Sequence, residues 1–347
     1  MNILPETPKK KLLKPWSIQI ELTHGCNRFC DFCAIRTSWK TKEDRKLNFL
    51  NLEMADRISK ELNSWLPNGK RIEFGMHGEP SLNPKTLDIV KVFRTNFSKA
   101  QLLIYTNSDI LFKNGIFNES FVESLFSNGL NFLLIENYDG EKQMEKFINA
   151  FSSYGTINYY DTNFNMYSYH GTTDKKVIML GSIAKHDHEK RQRRLNNFGG
   201  NVDYNLTEKY GIKILEHPLE KRCVLPFREM IIEWDGIIPA CCVDWKRNLI
   251  MGKYPEDGTL ETIWNSDSFK NLRQLLYRRN RFVSPCCKCD FDGGFRQGLI
   301  DDPEDFPFDE NTNLSRLEDL YKKYAEYHDK YSKFKIFHEN ISSNNFF

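Results

Sequence analysis

Three thiols near the start of the chain stand at a spacing that can grip one metal centre: Cys26-Asn-Arg-Phe-Cys30-Asp-Phe-Cys33. Thiolates are soft ligands, and three on one loop suit an iron–sulfur cluster or a zinc ion. On a four-iron cluster they would leave one iron without a protein ligand, a corner where a small molecule can bind and react. The nine cysteines all fall in this group or in a second one, Cys223, Cys241, Cys242, Cys286, Cys287 and Cys289. Scattered structural thiols would not cluster in this way. A disulfide framework belongs to short secreted chains. This chain has 347 residues and starts on a Lys- and Pro-containing stretch rather than an apolar leader. No run nears the ~18 apolar residues of a membrane span. A reduced, cytoplasmic protein is expected, with zinc the competing reading for both groups.

Size and charge narrow the rest. A chain of 347 residues has room for one large and one small domain, and a 40% hydrophobic fraction is enough for an ordinary core. A formal net charge of +2 provides no global field for nucleic acid. One local run, Lys185-His-Asp-His-Glu-Lys-Arg-Gln-Arg-Arg194, is strongly basic. It reads either as a solvated face or as a clamp whose arginine forks bind a carboxylate or phosphate.

The thiols need a frame to position them. Short apolar runs at 18–22, 71–74, 102–105, 132–135, 157–160 and 177–180 read as strands. Segments with helical spacing at 52–66, 86–97, 121–126 and 144–151 lie between them. Strands alternating with helices predict a parallel sheet with right-handed crossovers. The expected fold class is α/β, with a partial (β/α)6 TIM-like barrel. In barrels the chemistry sits at the C-terminal ends of the strands, and unusual residues follow several of these. The cysteine loop follows the first strand, and Met76-His77-Gly78-Glu79-Pro80 the second. Thr106-Asn107-Ser108 follows the third and Glu136-Asn137-Tyr138-Asp139-Gly140 the fourth. Gly181-Ser182 follows the sixth, with Asn197-Phe198-Gly199-Gly200-Asn201 further on.

Over roughly residues 16–295, the cysteine spacing and these strand-end residues resemble the radical S-adenosylmethionine (radical SAM) superfamily. The resemblance implies that Cys26, Cys30 and Cys33 ligate a [4Fe-4S] cluster whose open iron binds SAM. Gly78, Glu79 and Pro80 match the family's Gly-Gly-Glu-Pro segment, which meets the methionine amino group; His77 replaces its first glycine. Asn107 lies in a Thr-Asn-Gly-like segment from which Ser108 departs. Phe32 takes the aromatic place beside adenine, Ser182 the place near the ribose hydroxyls, and Arg194 pairs with the SAM carboxylate. Asn197, Gly200 and Asn201 match an Asn-Arg-Ala-Gly-Asn pattern, whereas Phe198 and Gly199 do not. Asp139-Gly140 reads as a plain turn.

In the second group, segment 231–240 reads as a hairpin around Asp235-Gly236 that brings Cys223 and Cys241 together across its open end. A helix is expected at 268–277, and Cys286 and Cys289 supply a Cys-x2-Cys pair. The arrangement resembles the C-terminal SPASM/Twitch domains of radical SAM enzymes. It implies a second, auxiliary [4Fe-4S] cluster on Cys223, Cys241, Cys286 and Cys289. None of the cysteines follows Cys289, which favours the one-cluster Twitch form. Cys242 and Cys287 are spare: either could replace its neighbour or be a buried apolar thiol. The expected division is an N-terminal extension at 1–15, the radical SAM partial barrel at 16–205, a small α+β Twitch/SPASM-like domain at 206–300, and a linker with an amphipathic helix at 301–347.

The resemblance also implies a reaction. SAM is cleaved reductively to a 5′-deoxyadenosyl radical, which takes hydrogen from a substrate C–H. The reading is an oxidoreductase acting on a small polar molecule of sugar, aminocyclitol or nucleotide type, with the auxiliary cluster accepting an electron. A flavodoxin- or ferredoxin-type donor is implied, and neither membrane nor nucleic acid is expected as a partner. Asp161, His170 and Arg194, with Glu136, are the candidates to handle a substrate proton. A radical epimerase, a peptide-modifying maturase and a non-catalytic iron–sulfur or zinc protein are the alternative readings.

Overall fold

The computed structural model describes residues 14–15, 17–39, 41, 43–113, 115–154, 156–159, 177–182, 195–212 and 214–291. The central sheet holds β1 (Ser17–Ile20), β2 (Arg71–Phe74), β3 (Gln101–Thr106), β4 (Phe132–Asn137), β5 (Thr156–Tyr159), β6 (Val177–Ser182) and β7 (Glu229–Ile232). Their spatial order is β7-β1-β2-β3-β4-β6-β5, and every pairing is parallel. Strands covered on both faces are apolar along their whole length rather than alternating. This is why runs such as Leu102 to Ile104 and Phe132 to Ile135, all buried, were visible as strands.

The helices fill the crossovers. Helix α1 (Leu52–Trp65) starts at Asn51, whose side chain accepts from the Met54 amide at 2.8 Å, and it buries Ala55, Ile58, Leu62 and Trp65. Helix α2 (Thr86–Asn96) buries Ile89, Val90 and Phe93. The helices expected at 121–126 and 144–151 extend further, as α3 (Glu119–Ser127) and α4 (Glu141–Phe151). Their first turns carry Glu119 and Glu141, acidic residues that suit a helix N-terminus but carry no apolar period.

Two features depart from the sequence reading. First, β6 lies between β4 and β5, so the fifth and sixth strands do not follow chain order. Second, segment 231–240 does turn tightly, with the Glu233 amide donating to the Ile237 carbonyl at 2.8 Å, yet its two arms join different sheets. β7 pairs with β1, Ser17 opposite Glu229 through Ile20 opposite Ile232. The arm beyond the turn, β8 (Ile237–Pro239), pairs antiparallel with β9 (Ile250–Lys253). All four residues of β7 are buried, although it is the edge strand of the sheet. Thus part of the chain expected on the auxiliary side of residue 206 hydrogen-bonds to the first strand of the barrel. After β9 come α5 (Leu260–Trp264), capped by Thr259, and α6 (Asp267–Tyr277), capped by Ser266. One apolar core runs without a break from Ile18 and Phe74 to Trp264 and Leu276.

The amphipathic segment 314–337 and the basic run 185–194 lie outside the described residues. Among the described residues no helix is long and apolar enough to cross a membrane.

Candidate active site and cluster sites

The first cysteine loop is built at the C-terminal end of β1. Thr23–His24 pairs antiparallel with Asn48–Phe49, and Gly25, at φ 128°, turns the chain into Cys26. Side chains then hold the loop by its carbonyls. Arg45 donates to the Cys26 carbonyl at 2.6 Å, and Arg36 to those of Phe29 at 2.8 Å and Cys30 at 3.2 Å. The Cys26 sulfur accepts from the Arg28 amide and from Asn107 Nδ2, each at 3.4 Å. Burial raises the Cys26 and Cys33 thiols to about 12 and Cys30 to about 11, and a Cys30 thiolate would raise the other two further. Three thiols on one half-buried loop suit one metal centre that binds them as thiolates.

The loop after β2 locks onto the cysteine loop. A Cβ on Gly78 would lie 2.0 Å from the Thr23 carbonyl oxygen and 2.4 Å from that of Gly25, so only glycine fits. The Glu79 amide donates to the Gly25 carbonyl at 2.9 Å. The Glu79 carboxylate is buried and fully engaged. It accepts from the Ser81 amide at 3.1 Å, the Ser81 hydroxyl, the Thr106 hydroxyl at 2.8 Å and the Asn107 amide at 2.7 Å. Burial raises its pKa against the lowering effect of those donors. Glu79 thereby joins the loops after β2 and β3. Ser108 stands at φ 72°, in the left-handed region where the family pattern places glycine.

Arg28, between the first two cysteines, extends the network to β4. Its Nε donates to Asp109 at 2.9 Å, and its Nη1 and Nη2 donate to Asp139 at 3.0 and 2.9 Å. The same guanidinium lies 4.9 Å over the Tyr138 ring. Asp139-Gly140 is therefore more than a plain turn: Asn137 Oδ1 accepts from both of their amides and aims Asp139 at the cysteine loop. Phe32 stacks on Tyr138 at 6.0 Å and meets Tyr210 edge-on at 5.6 Å. Ser182 ends β6 opposite Asn137. Asp161, His170 and Arg194 lie outside the described residues.

The second thiol group surrounds a cavity. Cys223, Cys241, Cys286 and Cys289 line it, and Cys242 and Cys287 do not. Burial pushes the Cys223 thiol up to about 11 and raises Cys241, Cys286 and Cys289; mutual charge adds to this within the set. Arg281 lines the same cavity and lowers the pKa of Cys223, Cys286 and Cys289. It is 1% exposed and spends its donors on three carbonyls, Lys221 at 2.7 Å, Arg222 at 2.8 Å and Phe291 at 2.6 Å. It thereby clips the segment before Cys223 to the segment after Cys289. Asn197 belongs to this part of the molecule. Its amide donates to Asp290 at 2.8 Å and its side chain to the Lys288 carbonyl at 2.7 Å. Phe198 reaches the other way, packing with Trp245 beside Cys26 and Cys33.

A family model described as the radical SAM superfamily matches residues 20–136, the stretch that carries the first cysteine loop and the strand ends joined to it. Residues 20–136 carry a radical SAM domain. An iron–sulfur cluster-binding SPASM model matches residues 223–290, from the first thiol of the second group past the last. No curated protein matches the chain. Among solved structures, BtrN in complex with AdoMet and 2-DOIA is similar at 22% identity and a TM-score of 0.56, covering 80% of this chain and 93% of that one. Selenomethionine BtrN in an open conformation is similar at 18% identity and 0.51, covering 79% and 91%. At these identities the likeness is one of fold.

Radical SAM chemistry brings a [4Fe-4S] cluster and SAM, and a SPASM domain brings auxiliary cluster binding. The donor sets fit both: a three-thiol loop leaves one cluster corner open, and four thiols around one cavity leave none. Sequence reasoning missed Arg28, Asp109, Asp139 and Arg281. Arg28 and Asp139 are 111 positions apart, and each also reads as an ordinary surface charge. Arg281, four residues before Pro285, carried no signal of burial.

Proposed function

We propose that the protein is a radical SAM oxidoreductase that dehydrogenates a small polar alcohol of the sugar, aminocyclitol or nucleotide type. The observation that carries this is the cavity of four thiols. A cluster closed by four thiolates offers no coordination position to substrate, which leaves electron transfer as its use. When bound, SAM at the first cluster supplies a carbon radical that takes a hydrogen atom from an unactivated C–H bond, and the auxiliary cluster supplies a sink for one electron.

The chain's own residues set the stage for that chemistry. Cys26, Cys30 and Cys33 are proposed to hold the first cluster, and Cys223, Cys241, Cys286 and Cys289 the second. Glu79, Asn107 and Arg28 fix the loops around the open corner. Phe32, Tyr138 and Tyr210 form an aromatic group suited to a purine face. An alcohol that loses a hydrogen atom and an electron must also lose its hydroxyl proton. Asp161, His170 and Arg194 are proposed for that task, with Ser182 and Asn197 proposed for SAM. The similarity to BtrN, solved with both AdoMet and 2-DOIA, supports a site that takes SAM and a second ligand together. A cytoplasmic setting and a flavodoxin- or ferredoxin-type donor complete the proposal.

The test is an anaerobic incubation of the reconstituted full chain with SAM, reductant and C-deuterated sugars, aminocyclitols and nucleosides. A product two hydrogens lighter, with deuterium recovered in 5′-deoxyadenosine, is expected. Deuterium transfer with a product of unchanged oxidation state would overturn dehydrogenation in favour of epimerisation.

A further inference from the structure

A second cluster of ligand-type side chains lies apart from the nine cysteines. Glu21 follows β1, His24 precedes the cysteine loop, and His77 stands before Gly78. One ligand atom from each lies within 4.8 Å of the others, and all three residues are buried. Glu233, at the end of β7, closes the group with its Oε1 3.7 Å from His77 Nδ1; Glu21 Oε1 is 3.8 Å from the same nitrogen.

The hydrogen-bond pattern of His77 is informative. Its Nε2 lies 2.9 Å from the Cys242 carbonyl, which can only accept, so Nε2 carries the proton. In the neutral ring Nδ1 is then a bare lone pair. The His77 side chain is 1% exposed, and Nδ1 has no hydrogen-bond partner. Instead it faces two carboxylates at distances too long for a hydrogen bond. A lone pair set against two anions calls for a cation between them. An imidazole that donates its far N–H to a backbone carbonyl is also the usual support of a metal-ligating histidine.

The charges agree. Three carboxylates, Glu21, Glu233 and Asp235, meet here with one guanidinium, Arg247. That guanidinium ties to Glu233 through Nε and to Asp235 at 2.9 and 3.0 Å. Asp244, nearby, is spent on the amides of Asn248 and Leu249. With both imidazoles neutral and the three carboxylates ionised, two negative charges would exceed the one guanidinium, eased only by the 3.1 Å contact of His24 Nδ1 with Glu21, and low-dielectric surroundings penalise that heavily. Trp245 lies tilted against His77 at 4.1 Å between ring centres and Trp39 meets His24 edge-on at 5.7 Å, giving the site apolar walls.

We propose that Glu21, His24 and His77, with Glu233 beside them, bind a divalent first-row transition metal ion of the zinc or ferrous class. Imidazole and carboxylate donors suit these ions. Drawing the donor atoms to about 2.0–2.2 Å from a common centre takes side-chain adjustments of roughly an ångström. The ion would tie the β1 end, the loop after β2 and, through the Cys242 carbonyl, the auxiliary module to one point.

The test uses the full chain, reconstituted with iron and sulfide, equilibrated with Zn²⁺ and desalted. Elemental analysis should find about one zinc per chain in addition to the cluster iron, and this zinc should be lost in both His77→Gln and Glu21→Gln. Crystals of the wild type, measured above and below the zinc edge, should show an anomalous peak beside His77 Nδ1. The map decides alone if neither variant folds. No peak at that position, or zinc retained equally in both variants, overturns the proposal; a peak among the cysteines would mean that zinc had entered the cluster sites instead.

Discussion

Replacing Gly78 with alanine tests how the loop after β2 supports the cysteine loop. The added Cβ would meet the Thr23 oxygen at 2.0 Å, the Gly25 oxygen at 2.4 Å and the Gly25 amide nitrogen at 2.7 Å. These are backbone atoms, so no side chain can swing away. Ordinary contact needs about 3.4 Å or more, and the two loops must part by roughly an ångström. That parting strains the 2.9 Å hydrogen bond from the Glu79 amide to the Gly25 carbonyl. Overpacking costs about 1–3 kcal/mol, and a buried polar group left unpaired costs about 1–3 kcal/mol more. A loss of about 2–6 kcal/mol is expected, concentrated one residue before Cys26. Urea unfolding of the reconstituted protein should show the lower stability, and iron analysis should show selective loss of the first cluster. Gly211→Ala is the control, because its Cβ would meet nothing within 4 Å and only the backbone strain of φ 72° remains. If Gly78→Ala keeps wild-type stability and iron content, the close approach of the two loops is not what holds the site.

Three further outcomes follow. Arg28→Lys keeps a charge but loses the fork that reaches Asp109 and Asp139. It should lower stability by about 1–2 kcal/mol, discounted for the exposure of Asp139, and speed loss of iron from the first site; unchanged iron retention would contradict the clamp. Cys241→Ser should lose about four irons and Cys242→Ser none, because only Cys241 lines the cavity; equal losses in the two variants would refute that distinction. Burial raises the pKa of Glu73 to about 7, so the folded state holds its proton more tightly than the unfolded chain does. The stability this provides is intact below about pH 4.5 and is lost as pH rises through 7, by roughly 3 kcal/mol. Glu73→Gln should therefore gain on the wild type between pH 5 and pH 8 in urea unfolding, and a constant difference across that range would rule the mechanism out.

Much of the frame was legible because it is written in local pattern. The apolar runs of the first six strands and the triad spacing each need only a few neighbouring residues to be read. The departures come from partners distant in the chain. Met230 to Ile232 announces a buried strand, but nothing in those residues says that the partner is β1, more than 200 positions away, rather than the arm across the Asp235-Gly236 turn. The exchange of β5 and β6 is likewise invisible to a reading that takes strands in chain order. Asn197 matched a family pattern, yet its hydrogen bonds lead to Lys288 and Asp290 beside the second thiol group. His77 was noted only as a replacement for glycine. Its place between Glu21, Glu233 and the Cys242 carbonyl depends on three segments meeting.

The measurement that bears most directly on the account is SAM cleavage by the first cysteine loop. The full chain, reconstituted anaerobically, is incubated with SAM and dithionite beside a variant carrying Cys26→Ala, Cys30→Ala and Cys33→Ala. 5′-Deoxyadenosine is expected from the wild type and none from the variant, which should retain the auxiliary iron. No 5′-deoxyadenosine from the fully reconstituted wild type, or equal amounts from both proteins, would contradict the assignment of radical chemistry to this loop.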